Sequence, residues 1–321
     1  MNILSIHDGY NASACLMING KVILALQEER FNQIKNYNGY PYKSINYCLN
    51  YLKENNLTLN KAGIASKYHY PYDQKVKIFN NFNSDDFREF WRTKVQFNYY
   101  TNKNIKNPLH TKNKRRDKKT IDYLKKIKNK YKNKIEYYNF RFLNDKIINK
   151  PHLEIDYFNK ERLKTFANHI GFNLNKIEFI DHHTCHAYYG YYSSALNGKE
   201  CLVSTIDGGG DATTQTTWIA KNKKLKLVSR NNSCPVGKYW KIICVLLSLK
   251  PHLHEYKVMG LAPYSKEKYT NEVFKTMKNL CKIKNYDIFE KKIKDRENCS
   301  YDFFEKKFSN FRFDAIAGGI Q

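Results

Sequence analysis

MNILSIHDGYNASACLMINGKVILALQ, residues 1–27, decides the fold class. Residues 3–6 are a short apolar run that stops at His7-Asp8-Gly9; residues 14–18 are a second, and Asn19-Gly20 separates it from a third at 21–27. Asn-Gly between apolar runs is the strongest short hairpin signal, so the second and third runs return antiparallel and a three-strand meander opens the chain. Residues 42–52 carry Ile45, Cys48, Leu49 and Leu52 at helical spacing, which packs one face on that meander. A loop and a further strand follow over 57–66. Strands interleaved with a helix predict an α/β domain.

The same pattern returns downstream. Residues 176–180 read as a strand, 182–196 as a helix, and 201–206 as a buried strand ending at Asp207-Gly208-Gly209-Gly210-Asp211. Residues 214–220 and 225–228 form a second hairpin around polar 221–224. Two meanders, each opening with a strand that runs into an Asp-Gly turn, make a weak internal repeat. The expected organisation is the start of a first α/β lobe over 1–67, a basic, largely helical insertion over 68–161, the rest of that lobe over 162–200, and a second lobe, incomplete at its end, over 201–321.

The insertion is assigned from charge. Residues 101–150 hold 17 Lys and Arg against 4 Asp and Glu, a surplus of 13, half of the net charge of +26. Ile121, Leu124, Ile127 and Tyr131 recur within it at helical spacing, so the basic residues form an outer face. Such charge fits anionic partners: phosphates, nucleic acid or an acidic glycan. The plainer account is compositional, a Lys-rich solvated surface in a chain rich in Lys, Asn, Ile and Tyr. With 41% hydrophobic and 15% aromatic residues, wholesale disorder is excluded. The longest strongly apolar stretch, 242–249, is far short of the ~20 residues a bilayer crossing needs. No membrane partner is expected. The amino terminus lacks a basic segment before an apolar one, and eight scattered cysteines with no Cys-x-x-Cys pair fit reduced thiols, so a cytoplasmic location is expected.

Four motifs carry chemistry. His7-Asp8-Gly9-Tyr10-Asn11-Ala12-Ser13-Ala14 combines small residues that allow close backbone approach with an Asp that can orient a hydroxyl or a metal-bound water; it also reads as a polar hairpin turn. In Asp181-His182-His183-Thr184-Cys185-His186, His182 and His186 are four apart on a helix and can share a metal, although an isolated pair with that spacing is more often two ordinary histidines. Asp207-Gly208-Gly209-Gly210-Asp211 offers consecutive backbone N–H groups to an anion and carboxylates to a cation that bridges to it. Glu255 and Lys257, in HEYKVMGLAPY, either line a cleft or form a solvated ion pair.

In this order, IHDGYNASACL with GKVILALQEERFNQIKN, DHHTCHA, STIDGGGD, EYKVMGLAPY and FRFDAIAGGIQ resemble the NodU-type O-carbamoyltransferase family. The resemblance implies an actin and sugar-kinase type (ASKHA) fold, similar to the threonylcarbamoyl-transferring enzymes of tRNA modification. It implies ATP and carbamoyl phosphate as co-substrates, carbamoyl adenylate made in a separate YrdC-like domain, and transfer to a hydroxyl in the first domain. Carried over by position, His182, His186 and Asp207 bind a divalent metal, iron first and zinc second. Gly208, Gly209, Gly210 and Asp211 face the nucleotide phosphates, and Asp8, Lys35 and Asn36 line the acceptor pocket. The family pattern HDASA reads Tyr10-Asn11-Ala12-Ser13-Ala14 here, so Tyr10 stands where the family has its proton-accepting His. A phenol of ordinary pKa ~10 is a poor base at neutral pH, so either His7 substitutes from three residues away or transfer is slow or altered.

The chain stops at Gln321, before the family's later adenosine-binding segment, its last metal-ligating Asp and the YrdC-like domain. The expectation is a truncated or split form whose remainder a separate chain supplies. The insertion lies where an acceptor-selecting lid would sit, and its charge suits an anionic acceptor: a nucleotide sugar, a charged polysaccharide or hydroxymethylated nucleic acid. The competing function is nucleic-acid binding through that basic, aromatic-interleaved segment, with an inactive carbamoyltransferase-like core.

Overall fold

The computed structural model describes residues 1–67, six positions between 118 and 129 (118, 121, 122, 125, 128 and 129), 144–150, 153–251, 253–290 and 300–321. These residues fall into two compact units that part within one helix, between Cys185 and His186. The basic insertion expected over 68–161 lies largely outside the described residues.

The first unit opens with β1 (Asn2–His7), β2 (Ser13–Ile18) and β3 (Lys21–Gln27), successive antiparallel neighbours as the apolar runs predict. Asn19 and Gly20 both take positive φ, 49° and 81°, which a two-residue hairpin turn demands. The strands alternate: Leu4 opposes Leu16 and Ile6 opposes Ala14, all buried. A short helix, α1 (Glu29–Asn32), leads to α2 (Tyr42–Glu54). Buried Glu28 starts α2, its carboxylate accepting from the N–H groups of Lys43 (3.0 Å) and Ser44 (2.8 Å) and from the Ser44 hydroxyl (2.8 Å). A carboxylate suits a helix amino terminus because N–H groups there lack intrahelical partners. Helix α2 then crosses over so that β4 (Lys61–Ala65) joins β1 in parallel.

Helices α3 (Asp145–Asn149) and α4 (Glu154–Ile170) follow, and α4 runs unbroken through residue 161. Strand β5 (Ile177–Ile180) pairs in parallel with β4, completing a five-stranded mixed sheet of order β3-β2-β1-β4-β5. The core beneath it gathers Leu4, Leu16, Ile45 and Ile64 with Ile148, Phe158 and Phe166 from α3 and α4. Each such side chain contributes about 1.5–3 kcal/mol by leaving water. The fold is therefore α/β, with two parallel ladders, β1 with β4 and β4 with β5, running from the central strand to one edge of the sheet.

Helix α5 (His182–Tyr192) begins where expected but ends four residues before 196. In the second unit β6 (Cys201–Gly210), β7 (Thr213–Lys221) and β8 (Lys224–Asn231) form an antiparallel meander. The strand, expected to end at residue 206 in an Asp-Gly turn, runs on through the glycines to Gly210. Without Cβ atoms they tolerate an irregular extended path: the β6–β7 register breaks between Ile206 and Gly210, Gly209 has φ 135°, and Asp211 and Ala212 make the turn. Then come α6 (Val236–Leu246), α7 (Glu255–Leu261), α8 (Glu267–Asn279), the hairpin β9 (Cys281–Lys284) and β10 (Asp287–Glu290), α9 (Ser300–Phe308) and α10 (Phe313–Ile320). Tyr239, Ile243, Val258, Val273, Phe304, Phe308 and Ile316 make a second core. The described cysteines are free, and among the described residues no helix is long and apolar enough to cross a membrane.

Candidate metal centre

Asp181 sets the start of α5: its Oδ1 accepts from the Thr184 N–H (2.9 Å) and hydroxyl (3.1 Å). With the helix phase fixed there, His183, Ala187 and Tyr191, four apart, form the buried stripe. His182 and His186 share the adjoining face one turn apart. His186 Nε2 stands 3.8 Å from Oδ2 of Asp207 on β6. The other oxygen of Asp207 accepts from the Gly208 N–H, which fixes the carboxylate. One donor atom from each of His182, His186 and Asp207 lies within 4.8 Å of the others. Donors sharing one ion at ~2.1 Å stand at most ~4.2 Å apart. The histidine–carboxylate pair, at 3.8 Å, meets that bound, and a tetrahedral ion, whose donors stand ~3.4 Å apart, draws the widest pair together by up to about 1.4 Å. Two imidazoles and a carboxylate suit iron or zinc.

Behind Asp207 the backbone is crowded. A Cβ on Gly237, in the first turn of α6, would collide with the Gly208 nitrogen and lie 2.6 Å from the Asp207 carbonyl carbon. A Cβ on Gly208 would lie 2.7 Å from Nζ of Lys241, one turn further along α6. That ammonium donates to the Gly208 carbonyl at 3.4 Å. Burial pushes the Lys241 pKa down, and the carboxylates of Asp207 and Glu255 oppose the shift. Asp211, read as a phosphate-facing acid, is 7% exposed beyond the end of β6.

The remaining motif residues belong to the first unit. His7 ends β1 with its ring over Gly9, where a Cβ would meet Nε2 at 2.9 Å. Burial pushes its pKa down, helped by His182 and Arg162 and opposed by Asp8 and a hydrogen bond to the Ala65 backbone, so the neutral imidazole prevails at pH 7. Asp8 is 1% exposed and held bidentately by Arg162, Nε to Oδ2 at 2.7 Å and an Nη to Oδ1 at 2.6 Å. Arg162 also donates to the Ser66 carbonyl (3.0 Å) and to Asn159 (3.1 Å), and lies 4.8 Å over the Phe179 ring. Tyr10 is half-buried and pairs with Asn38 in an isolated antiparallel bridge. Residues 36–39 thus strap across 9–12, through Ala12 N–H to the Tyr37 carbonyl (3.0 Å) and Gly39 N–H to the Gly9 carbonyl (3.3 Å). Lys35 is exposed, and the Asn36 N–H is donated to Glu29.

Sequence reading missed Arg162, Lys241 and Asn38. Arg162 lies 154 residues from its partner, and Lys241 sits in an apolar helix with no motif around it. Asn38 shows itself only through burial: its Oδ1 has no hydrogen-bond partner, a condition shared among the described residues only by Asp287 Oδ1.

A sequence profile described as carbamoyltransferase N-terminus matches residues 2–317. The chain belongs to the carbamoyltransferase family. It is 24% identical over 287 residues to nodulation protein NolNO of Sinorhizobium fredii, covering 88% of this chain and 31% of that protein. An uncharacterised protein of Methanocaldococcus jannaschii is 27% identical over 286 residues, 88% of this chain and 37% of that one. A third relative, an uncharacterised protein of a Synechocystis strain, is 22% identical over 286 residues. This carbamoyltransferase-family chain thus spans about a third of the length of these curated relatives, and its match is to the amino-terminal family segment, as the NodU-type motifs imply.

Proposed function

We propose that this chain forms the transfer site of an O-carbamoyltransferase, moving a carbamoyl group from carbamoyl adenylate to a hydroxyl of an anionic, sugar-like or nucleotide-linked acceptor. The observation that carries the reading is the convergence of His182, His186 and Asp207 in a chain of this family. The sheet order β3-β2-β1-β4-β5 and the returning meander β6-β7-β8 support the finer assignment of an actin and sugar-kinase type fold. ATP and carbamoyl phosphate enter through adenylate formation elsewhere in the complete enzyme.

His182, His186 and Asp207 would hold a divalent cation, which would supply neutralisation of phosphate charge and so make AMP a better leaving group. His7, neutral and at the end of β1, accepts the hydroxyl proton in place of the absent family His. The freed oxygen attacks the carbamoyl carbon, the carbon–oxygen bond to the adenylate phosphate breaks, and the phosphate leaves with the electron pair. Asn38 Oδ1 accepts a hydrogen bond from the acceptor, which satisfies a buried oxygen that otherwise lacks a donor. Arg162 holds the Asp8 carboxylate in place through two hydrogen bonds.

Elemental analysis tests the reading. The purified chain retains about one iron or zinc, and His182→Ala with His186→Ala abolishes it; unchanged metal in the double variant refutes the assignment. The second reading, nucleic-acid binding by an inactive core, rests on the surplus of 13 charges in 101–150. It requires DNA affinity that falls steeply between two salt concentrations, whereas a small acceptor shows a shallow dependence.

A further inference from the structure

We infer that Lys241 is the charge-balancing residue of the centre, working against capture of a divalent cation by Asp207 and in favour of a phosphate-bearing ligand. The inference rests on the metal-centre and phosphate reading above and adds a residue that neither motif nor family position supplied.

Geometry places Lys241 there for a reason. Helix α6 approaches β6 so closely that only glycine fits at 237, and the Lys241 ammonium occupies the space a Gly208 side chain would take. Gly208 is therefore small as much to admit an ammonium as to present an N–H group. The ammonium donates to the Gly208 carbonyl at 3.4 Å, a long bond that leaves most of its donor capacity for another oxygen. Two carboxylates, Asp207 and Glu255, act on it.

Lys241 and Asp207, joined through Gly208, sum to a charge of zero. A divalent ion turns the sum to +2 and attracts phosphate, so anion binding follows metal binding. Without Lys241 the sums become −1 and +1: the cation is held more tightly and the anion more weakly. A lysine that served packing alone would weaken both on removal. The opposed signs distinguish the two roles.

The experiment measures two affinities by calorimetry on the whole chain: Mn²⁺ alone, and AMP as phosphate probe at saturating Mn²⁺. Lys241→Met tightens Mn²⁺ about fivefold or more and weakens AMP about tenfold or more, given the strength of a unit charge a few ångströms away at an effective dielectric of ~20. Lys241→Arg keeps both within about threefold, and matching melts show that both variants fold. Any other pairing of the two changes in Lys241→Met, including loss of both affinities, overturns the inference. A wild-type chain that takes up no Mn²⁺ removes the metal centre itself and the inference with it. Normal wild-type binding with an unresponsive Lys241→Met removes the inference alone.

Discussion

At the scale of single residues, Asp8 and Arg162 show how burial turns an acid into structure. Their side chains are 2% and 1% exposed, so each charge depends on the other for the solvation that water no longer gives. Removing one partner strands the other. Arg162→Met therefore destabilises the chain by about 3–5 kcal/mol, and Asp8→Asn added to it costs less than the sum of the single changes. A denaturant melt of the two single variants and the double checks this; strict additivity would show that the pair is not coupled. Asp8 is then a residue that shapes the segment around His7 and Tyr10, whatever else it touches in an acceptor complex.

At the scale of elements, the seat of α6 on β6 depends on one missing methyl group. Gly237→Ala forces a Cβ into backbone that cannot yield as a side-chain tip would, and costs about 2–3 kcal/mol or more. Gly260, exposed within α7, has nothing within 4 Å of the corresponding position, so Gly260→Ala stabilises by about 0.5–1 kcal/mol through helix propensity. Comparing the two melting temperatures separates close approach from propensity, because propensity alone makes both substitutions favourable. The amino terminus of α2 makes a parallel case. Glu28→Gln keeps the shape of the cap but loses the charge that three donors share, and costs about 1–2 kcal/mol by chemical melt.

At the scale of the whole molecule, partly buried histidines set the response to acid. Burial pushes His7, His169 and His254 below 6.5, so folded chains bind fewer protons than unfolded ones as pH falls through that value. Stability is therefore full above pH 6.5 and declines below it. His169 is the clearest contributor. Its Nδ1 meets the Tyr40 hydroxyl at 2.8 Å, its Nε2 meets Asn46 Oδ1 at 2.8 Å, and Tyr42 stacks on it at 4.5 Å, while Glu28 opposes the shift. Melting temperatures between pH 7.5 and 5.5 fall in the wild type and fall less in His169→Gln; a flat wild-type profile would contradict the assignment.

Much of this was legible in the amino-acid order because it is local. The meander of 1–27, the helix over 42–52 and the one-turn spacing of His182 and His186 depend on periodicities of two and of 3.6 and on the turn chemistry of Asn19-Gly20, which neighbouring residues settle among themselves. The glycines after Asp207 announced themselves too, but not that the strand runs through them or that one gives its side-chain space to Lys241. Only tertiary packing could bring Arg162 to Asp8, Asp207 to His186 and Lys241 to Gly208, since each contact joins segments whose separation carries no periodic signal. Short-range order determined which elements form. Which charges became neighbours was decided by where those elements came to rest.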